Sequence, residues 1–144
     1  TSKLRDEVAP HVHFAIYQAL ASPRIEIKRA NAEALGNGVY KVEIGIANTG
    51  WLGTEISEWA HKNRIVLPLT AEISGGTLVE GAPRVKLGQL DGRVKFRVSG
   101  DAKSDGTPDR VLHSWLIRGE KGQQITLTAT HQRAGVASAV VVLP

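Results

Sequence analysis

The sequence predicts a mainly β domain, a two-sheet antiparallel sandwich preceded by one N-terminal helix. Two observations carry this. The spacing of apolar residues changes at Pro23 from a helical period to strict alternation, and it stays alternating to the end of the chain. The alternating runs are short and are separated by turn-forming sequences such as Gly36-Asn37-Gly38, Ser74-Gly75-Gly76, Leu90-Asp91-Gly92 and Gly119-Glu120-Lys121-Gly122.

The helical segment runs from Asp6 to Ala21. Val12, Ile16 and Leu20 recur at four-residue spacing, and Val8, Phe14 and Tyr17 widen the stripe. Pro10 is expected in the first turn, where its missing N–H breaks no bond, and Pro23 stops the helix. The chain therefore divides into a helical segment, residues 1–22, and a sandwich, residues 23–144. A helix with a broad apolar stripe is not stable alone in water, so it is expected to pack on the sandwich or on a neighbouring body.

Ile25 and Ile27 begin the first strand. Tyr40, Val42, Ile44 and Ile46 line one face of the second, and the glycine-flanked Asn37 between them tolerates the positive φ of a tight hairpin. Ile65, Leu67, Leu69, Ala71 and Ile73 are expected to be buried, with Arg64, Val66, Pro68, Thr70 and Glu72 on the opposite face. Pro68 cannot donate to a ladder and points to an edge strand, or to a position whose N–H faces away from its neighbour. Val94, Phe96 and Val98 form a further strand, followed by a polar loop over Gly100–Asp109. Val111–Arg118, Ile125–Ala129 and Val136–Leu143 complete a set of about seven strands, the number and spacing of an immunoglobulin- or fibronectin-like fold.

Composition narrows the function. At 144 residues the chain is long enough for one domain with a real core, and no apolar run approaches the roughly 20 residues that span a bilayer. The absence of cysteine removes disulfides, thiolate metal sites and cysteine nucleophiles. The net charge of +4 comes from scattered residues, with Arg24, Lys28 and Arg29 the densest group, and no basic helix face interleaved with aromatics marks a nucleic-acid surface.

No motif for catalysis or metal binding stands out. The histidines are His11, His13, His61, His113 and His131, and none belongs to a His-Glu-x-x-His run. His11 and His13 lie about 200° apart around a helix and cannot share one ion unless the helix starts after them. Ser114 neighbours His113, but adjacent strand residues face opposite ways, which rules out a simple serine–histidine pair. Asp101, Asp105 and Asp109 lack the dense ligand ladder of a calcium loop. The sequence assigns no catalytic and no metal-binding residue. Its candidate interface or binding residues are Phe14, Tyr17, Trp51 and Trp59, with Trp51 expected to be exposed and Trp115 packed. An exposed indole platform fits a peptide or a glycan.

Several segments carry a family resemblance. His13-Phe14, Ser22-Pro23-Arg24-Ile25, Leu35–Val42 and Asn48-Thr49-Gly50-Trp51-Leu52 resemble, in order and spacing, the C-terminal region of bacterial zinc carboxypeptidases. So do Val85–Arg93, Trp115–Gly119 with Gly122, and Thr130-His131-Gln132-Arg133-Ala134-Gly135. The likeness extends over nearly all of the chain from His13 onward. It implies a non-catalytic accessory sandwich whose opening helix is the last element of a preceding catalytic domain. It also implies that the zinc of that parent enzyme is held outside this chain and that no cofactor is bound here; the sequence leaves the compartment undecided, and the resemblance slightly favours a periplasmic or secreted one. The roles implied are interdomain packing, stability and orientation of peptide substrates. A stand-alone module binding glycan, peptidoglycan or peptide is the alternative.

Overall fold

The computed structural model describes residues 2–55, 57–93 and 108–144. The predicted strand Val94–Val98, the polar loop up to Thr107, and with them Asp101 and Asp105, lie outside the described residues. Eight strands are described: β1 (Ile25–Gly36), β2 (Val39–Asn48), β3 (Leu69–Ser74), β4 (Thr77–Leu78), β5 (Arg84–Gly88), β6 (Arg110–Arg118), β7 (Gln124–His131) and β8 (Gly135–Val142). Helix α1 (Ser2–Ala21) precedes them, and a short helix, α2 (Glu58–Lys62), lies between β2 and β3.

The strands form two antiparallel sheets, β1-β2-β6-β4 and β5-β3-β7-β8. This is the arrangement of a fibronectin-like sandwich, with β3, β7 and β8 in one sheet and β1, β2 and β6 in the other. Alternation builds the core between them. Val42, Ile44 and Ile46 from β2 and Ile117 from β6 face Leu69, Ala71, Ile125, Leu127 and Ala129 from the second sheet, all essentially inaccessible to water. Trp115 is packed as expected, and its indole Nε1 donates to the Ala82 carbonyl at 3.1 Å.

The β1–β2 hairpin turns at Asn37, whose φ of +53° is one that asparagine tolerates. Strands β4 and β5 have no counterpart in the sequence reading. A two-residue strand is too short to show a period, and β5 is a brief alternation of charged and apolar residues between a proline and a glycine.

The segment before β3 departs from the expected alternation. Leu69, Ala71 and Ile73 are buried, but Ile65 and Leu67 are exposed and Val66 is buried instead. The strand begins only at Leu69, because Arg64 adopts a positive φ of 52° and Pro68 cannot pair. The phase of the alternation is reset across these two residues. β3 is moreover an interior strand, and Pro68 stands just ahead of it rather than on an edge.

Helix α1 starts a turn earlier than the period implied, at Ser2. Pro10 therefore lies inside the helix and not in its first turn, removing the N–H that would bond the Asp6 carbonyl. Val8, Val12, Phe14, Ile16, Tyr17 and Leu20 are all exposed, so α1 does not lay its apolar stripe on the sandwich.

Urea denaturation distinguishes the two regions. Leu127→Ala, in the core, is expected to cost about 2–5 kcal/mol, whereas Leu20→Ala, on α1, is expected to change stability by no more than about 0.5 kcal/mol.

Candidate functional site at the helix end of the sandwich

The inward parity of Tyr40, Val42, Ile44 and Ile46 carries on to Asn48, placing an amide at the mouth of the core with 1% of its surface exposed. Its hydrogen-bonding capacity is fully used. Oδ1 accepts the backbone N–H groups of Arg24 and Gly50, each at 3.0 Å. Nδ2 donates to the carbonyls of Leu52 at 2.8 Å and Asp91 at 3.1 Å. The Asn48 backbone N–H bonds the Asp109 carbonyl at 2.8 Å, so one residue gathers four separate stretches of chain.

Two glycines make this convergence sterically possible. A Cβ on Gly50 would lie 2.2 Å from the Ser22 carbonyl oxygen and 2.7 Å from Pro23 Cα. A Cβ on Gly92 would lie 2.1 Å from the Trp51 carbonyl oxygen. The same loop holds the end of α1, because Leu52 N–H donates to the Ala21 carbonyl at 3.0 Å and Thr49 N–H to the Arg24 carbonyl at 2.8 Å.

Above this junction Glu26 gathers partners. Lys28 and Arg24 pair with its carboxylate, and the Thr49 hydroxyl donates to it at 2.9 Å. The hydrogen bonds from Lys28 and Thr49 lower its pKa from 4.5 to about 2. On the outer face of the first sheet Glu43 is bracketed by Lys41 at 2.7 Å and Arg29 at 2.8 Å, and the hydrogen bond from Lys41 is the main cause of its lowered pKa.

A cleft of about 380 Å³ lies between the last turn of α1 and the loop after β2, lined by Ala19, Leu20, Ser22, Pro23, Arg24, Thr49, Gly50 and Trp51. Trp51 is 54% exposed at its edge. A second cleft, about 350 Å³, lies beside β6, where the His113 and Trp115 rings meet edge to face with centroids 4.5 Å apart. Burial lowers the His113 pKa, favouring a neutral ring. Ser114 is exposed and lies on the opposite face of β6, which gives no serine–histidine pair.

Of the residues singled out from the sequence, Trp51 lines the first cleft. Phe14 and Tyr17 stand exposed higher on α1, and Trp59 is 68% exposed on α2, so none of these three lines that cleft. The four aromatics do not converge on one pocket. Among the described residues no group of three or more His, Asp or Glu side chains is placed to hold a metal ion. No helix among them is long and apolar enough to cross a membrane.

Sequence reasoning did not single out Asn48, Thr54, Gln89 and His131 as a structural end-piece. The available signal was parity, since His131 follows Ile125, Leu127 and Ala129 on the inward side of β7, as Asn48 follows Ile46 on β2.

These features define a β-sandwich with a projecting helix fixed to one end by buried polar contacts. The family model for a domain of unknown function, DUF8731, matches residues 24–142, and the chain belongs to that family. No curated protein matches it.

Asn48→Ala is expected to destabilise the fold by about 3–5 kcal/mol, because it leaves buried N–H and C=O groups without partners. Denaturant midpoints measure this. The stability contributed by ionised Glu26 is present above pH 4.5 and is lost as the pH falls toward 2. Glu26→Gln is therefore expected to flatten the acid limb of a stability-against-pH curve over that interval.

Proposed function

We propose that this chain is a non-catalytic accessory sandwich that presents α1 and the Trp51 loop to another domain of its polypeptide. The observation that carries the reading is the state of α1. From Val8 to Ala21 the helix has no Asp, Glu, Lys or Arg, and it exposes Val12, Ile16 and Leu20 on one side and Phe14 and Tyr17 on another. Depletion of charge with enrichment of aromatic and aliphatic residues characterises the centre of a protein interface. A helix that is apolar around most of its circumference belongs inside a larger body.

The junction supports the same reading. α1 is bonded to the sandwich through Ala21, and the Ser22-Pro23 linker that follows it packs on Gly50, so a partner that held the helix would also be oriented relative to the sandwich. The family match begins at residue 24 and leaves α1 outside the matched domain. Of the segments that resemble the C-terminal region of zinc carboxypeptidases, Asn48–Leu52, the end of Val85–Arg93 and Thr130–Gly135 meet at this end of the sandwich, whereas Leu35–Val42 and Trp115–Gly119 meet at the other. On this reading the parent reaction is metal-dependent removal of C-terminal residues from peptides, performed elsewhere in the polypeptide. The sandwich stabilises that domain or frames the approach of its substrate.

The alternative, a glycan or peptide module, draws on exposed Trp51 beside Arg24 and Thr49 in the cleft. It requires the cleft to bind a ligand in the chain as it stands.

The gene on the 5′ side of the Thr1 codon is expected to encode a His-x-x-Glu pair, a later histidine and a catalytic glutamate. In that longer polypeptide, Ile16→Asp with Tyr17→Asp is expected to lower the melting temperature of the catalytic domain and expose the Ser22-Pro23 junction to protease while zinc content stays unchanged. An unrelated upstream domain, or a melting temperature indifferent to both substitutions, would defeat the proposal. Quenching of Trp51 fluorescence by a glycan, abolished in Trp51→Ala, would favour the binding module instead.

A further inference from the structure

His131 ends β7 with 3% of its surface exposed. Its Nδ1 accepts the backbone N–H groups of Arg133 at 3.1 Å and Ala134 at 3.2 Å, so that nitrogen carries no proton. The ring proton therefore sits on Nε2, which donates to Gln89 Oε1 at 3.1 Å. The same oxygen accepts the Thr54 hydroxyl at 2.6 Å, and Gln89 Nε2 donates to the Val66 and Leu67 carbonyls at 3.0 and 3.3 Å. Thr54 Oγ1 in turn accepts the Leu90 N–H at 2.9 Å. One neutral imidazole thus joins the β7–β8 turn, the exit of β5 and the connection that carries α2.

A second proton has only Nδ1 to go to, and two N–H donors already point there. Protonation turns two accepted hydrogen bonds into donor against donor, and the turn cannot stay closed around it. The charged groups that act on the ring are Glu55, from the connection before α2, and Arg133, from the turn; the first favours a charged ring and the second opposes it. The Leu67 backbone also favours the charged form, but burial is the largest influence and lowers the pKa below its usual 6.5. Glu55 Oε2 is buried, and no group among the described residues donates a hydrogen bond to it. Its negative charge favours the protonated ring.

We propose that His131 is an acid-operated latch. Neutral, it holds the β7–β8 turn against Gln89 and Thr54; protonated, it lets go of the Arg133 and Ala134 amides, and the Glu55 charge favours that open, protonated state. The element it biases reaches further, because the Ala134 carbonyl accepts the Ile25 N–H at 3.0 Å at the start of β1, next to the α1 junction. Since the folded-state pKa lies below the unfolded one, the latch is fully closed above about pH 6.5, and its contribution is lost progressively as the pH falls through the folded value.

The test is amide hydrogen exchange in the whole chain between pH 7.5 and 5, corrected for intrinsic rates, together with NMR titration of the His131 ring. Protection of Arg133 and Ala134 is expected to drop by about tenfold or more on acidification while the β2 and β6 core amides keep theirs. In Glu55→Gln, which removes the negative charge without emptying its space, the ring is expected to titrate at a lower pH and the turn to open later. Protection of the turn amides that is flat with pH, or that is lost equally throughout the sandwich, would overturn the proposal. So would a ring midpoint left unmoved by Glu55→Gln.

Discussion

The Asn48 side chain is the constraint on which the helix-proximal end of this protein depends. An antiparallel sandwich closes its sides with strands, but its ends are made of connections whose backbone groups have no ladder to satisfy them. Here a single amide, used at all four of its hydrogen-bonding positions, takes up groups from Arg24, Gly50, Leu52 and Asp91. Burying an amide is unfavourable unless every position is met. Meeting them fixes the linker, the loop after β2 and the exit from β5 in one arrangement. Gly50 and Gly92 follow from this, since backbones that converge on one residue leave no space for a Cβ.

Beside that hub stands a second, built on His131, Gln89 and Thr54. The two share the stretch from Gln89 to Asp91, so the end of the sandwich is a continuous polar seam under an apolar core. Seams of this kind specify geometry more than they add stability, because each hydrogen bond replaces one made to water. The asparagine seam contains no titrating side chain, whereas the histidine seam does. Acid therefore acts on the two halves through different groups, the Glu26 carboxylate beside the asparagine hub and the His131 ring within the other.

Helix α1 has the opposite character. It is anchored by its last turn and leaves its apolar residues exposed, although nucleating and holding an isolated helix in water is unfavourable. It exposes Ile16 and Leu20 on one side and Phe14 and Tyr17 on another, and Leu20 meets Trp51 at the cleft beside the hydrogen-bonded junction. Rigidity at the junction and exposure along the helix belong together in an element that orients one body against another.

The sequence by itself determined the sandwich, the hairpin at Asn37, the burial of Trp115 and the exposure of Trp51, because alternation and turn chemistry are local and survive without knowledge of partners. It also placed the helix, though it began that helix too late and put Pro10 in its first turn. Only the tertiary structure decided which sheet each strand joins, that Val66 and not Leu67 faces inward, and that β3 is interior. A positive φ at Arg64 and an unpaired Pro68 reset the parity in a way that composition does not show. The two polar hubs were legible only as parity, an asparagine and a histidine at inward positions. Their meaning depends on Asp91, Gln89 and Thr54, residues distant in sequence whose approach is set by the packing of the two sheets.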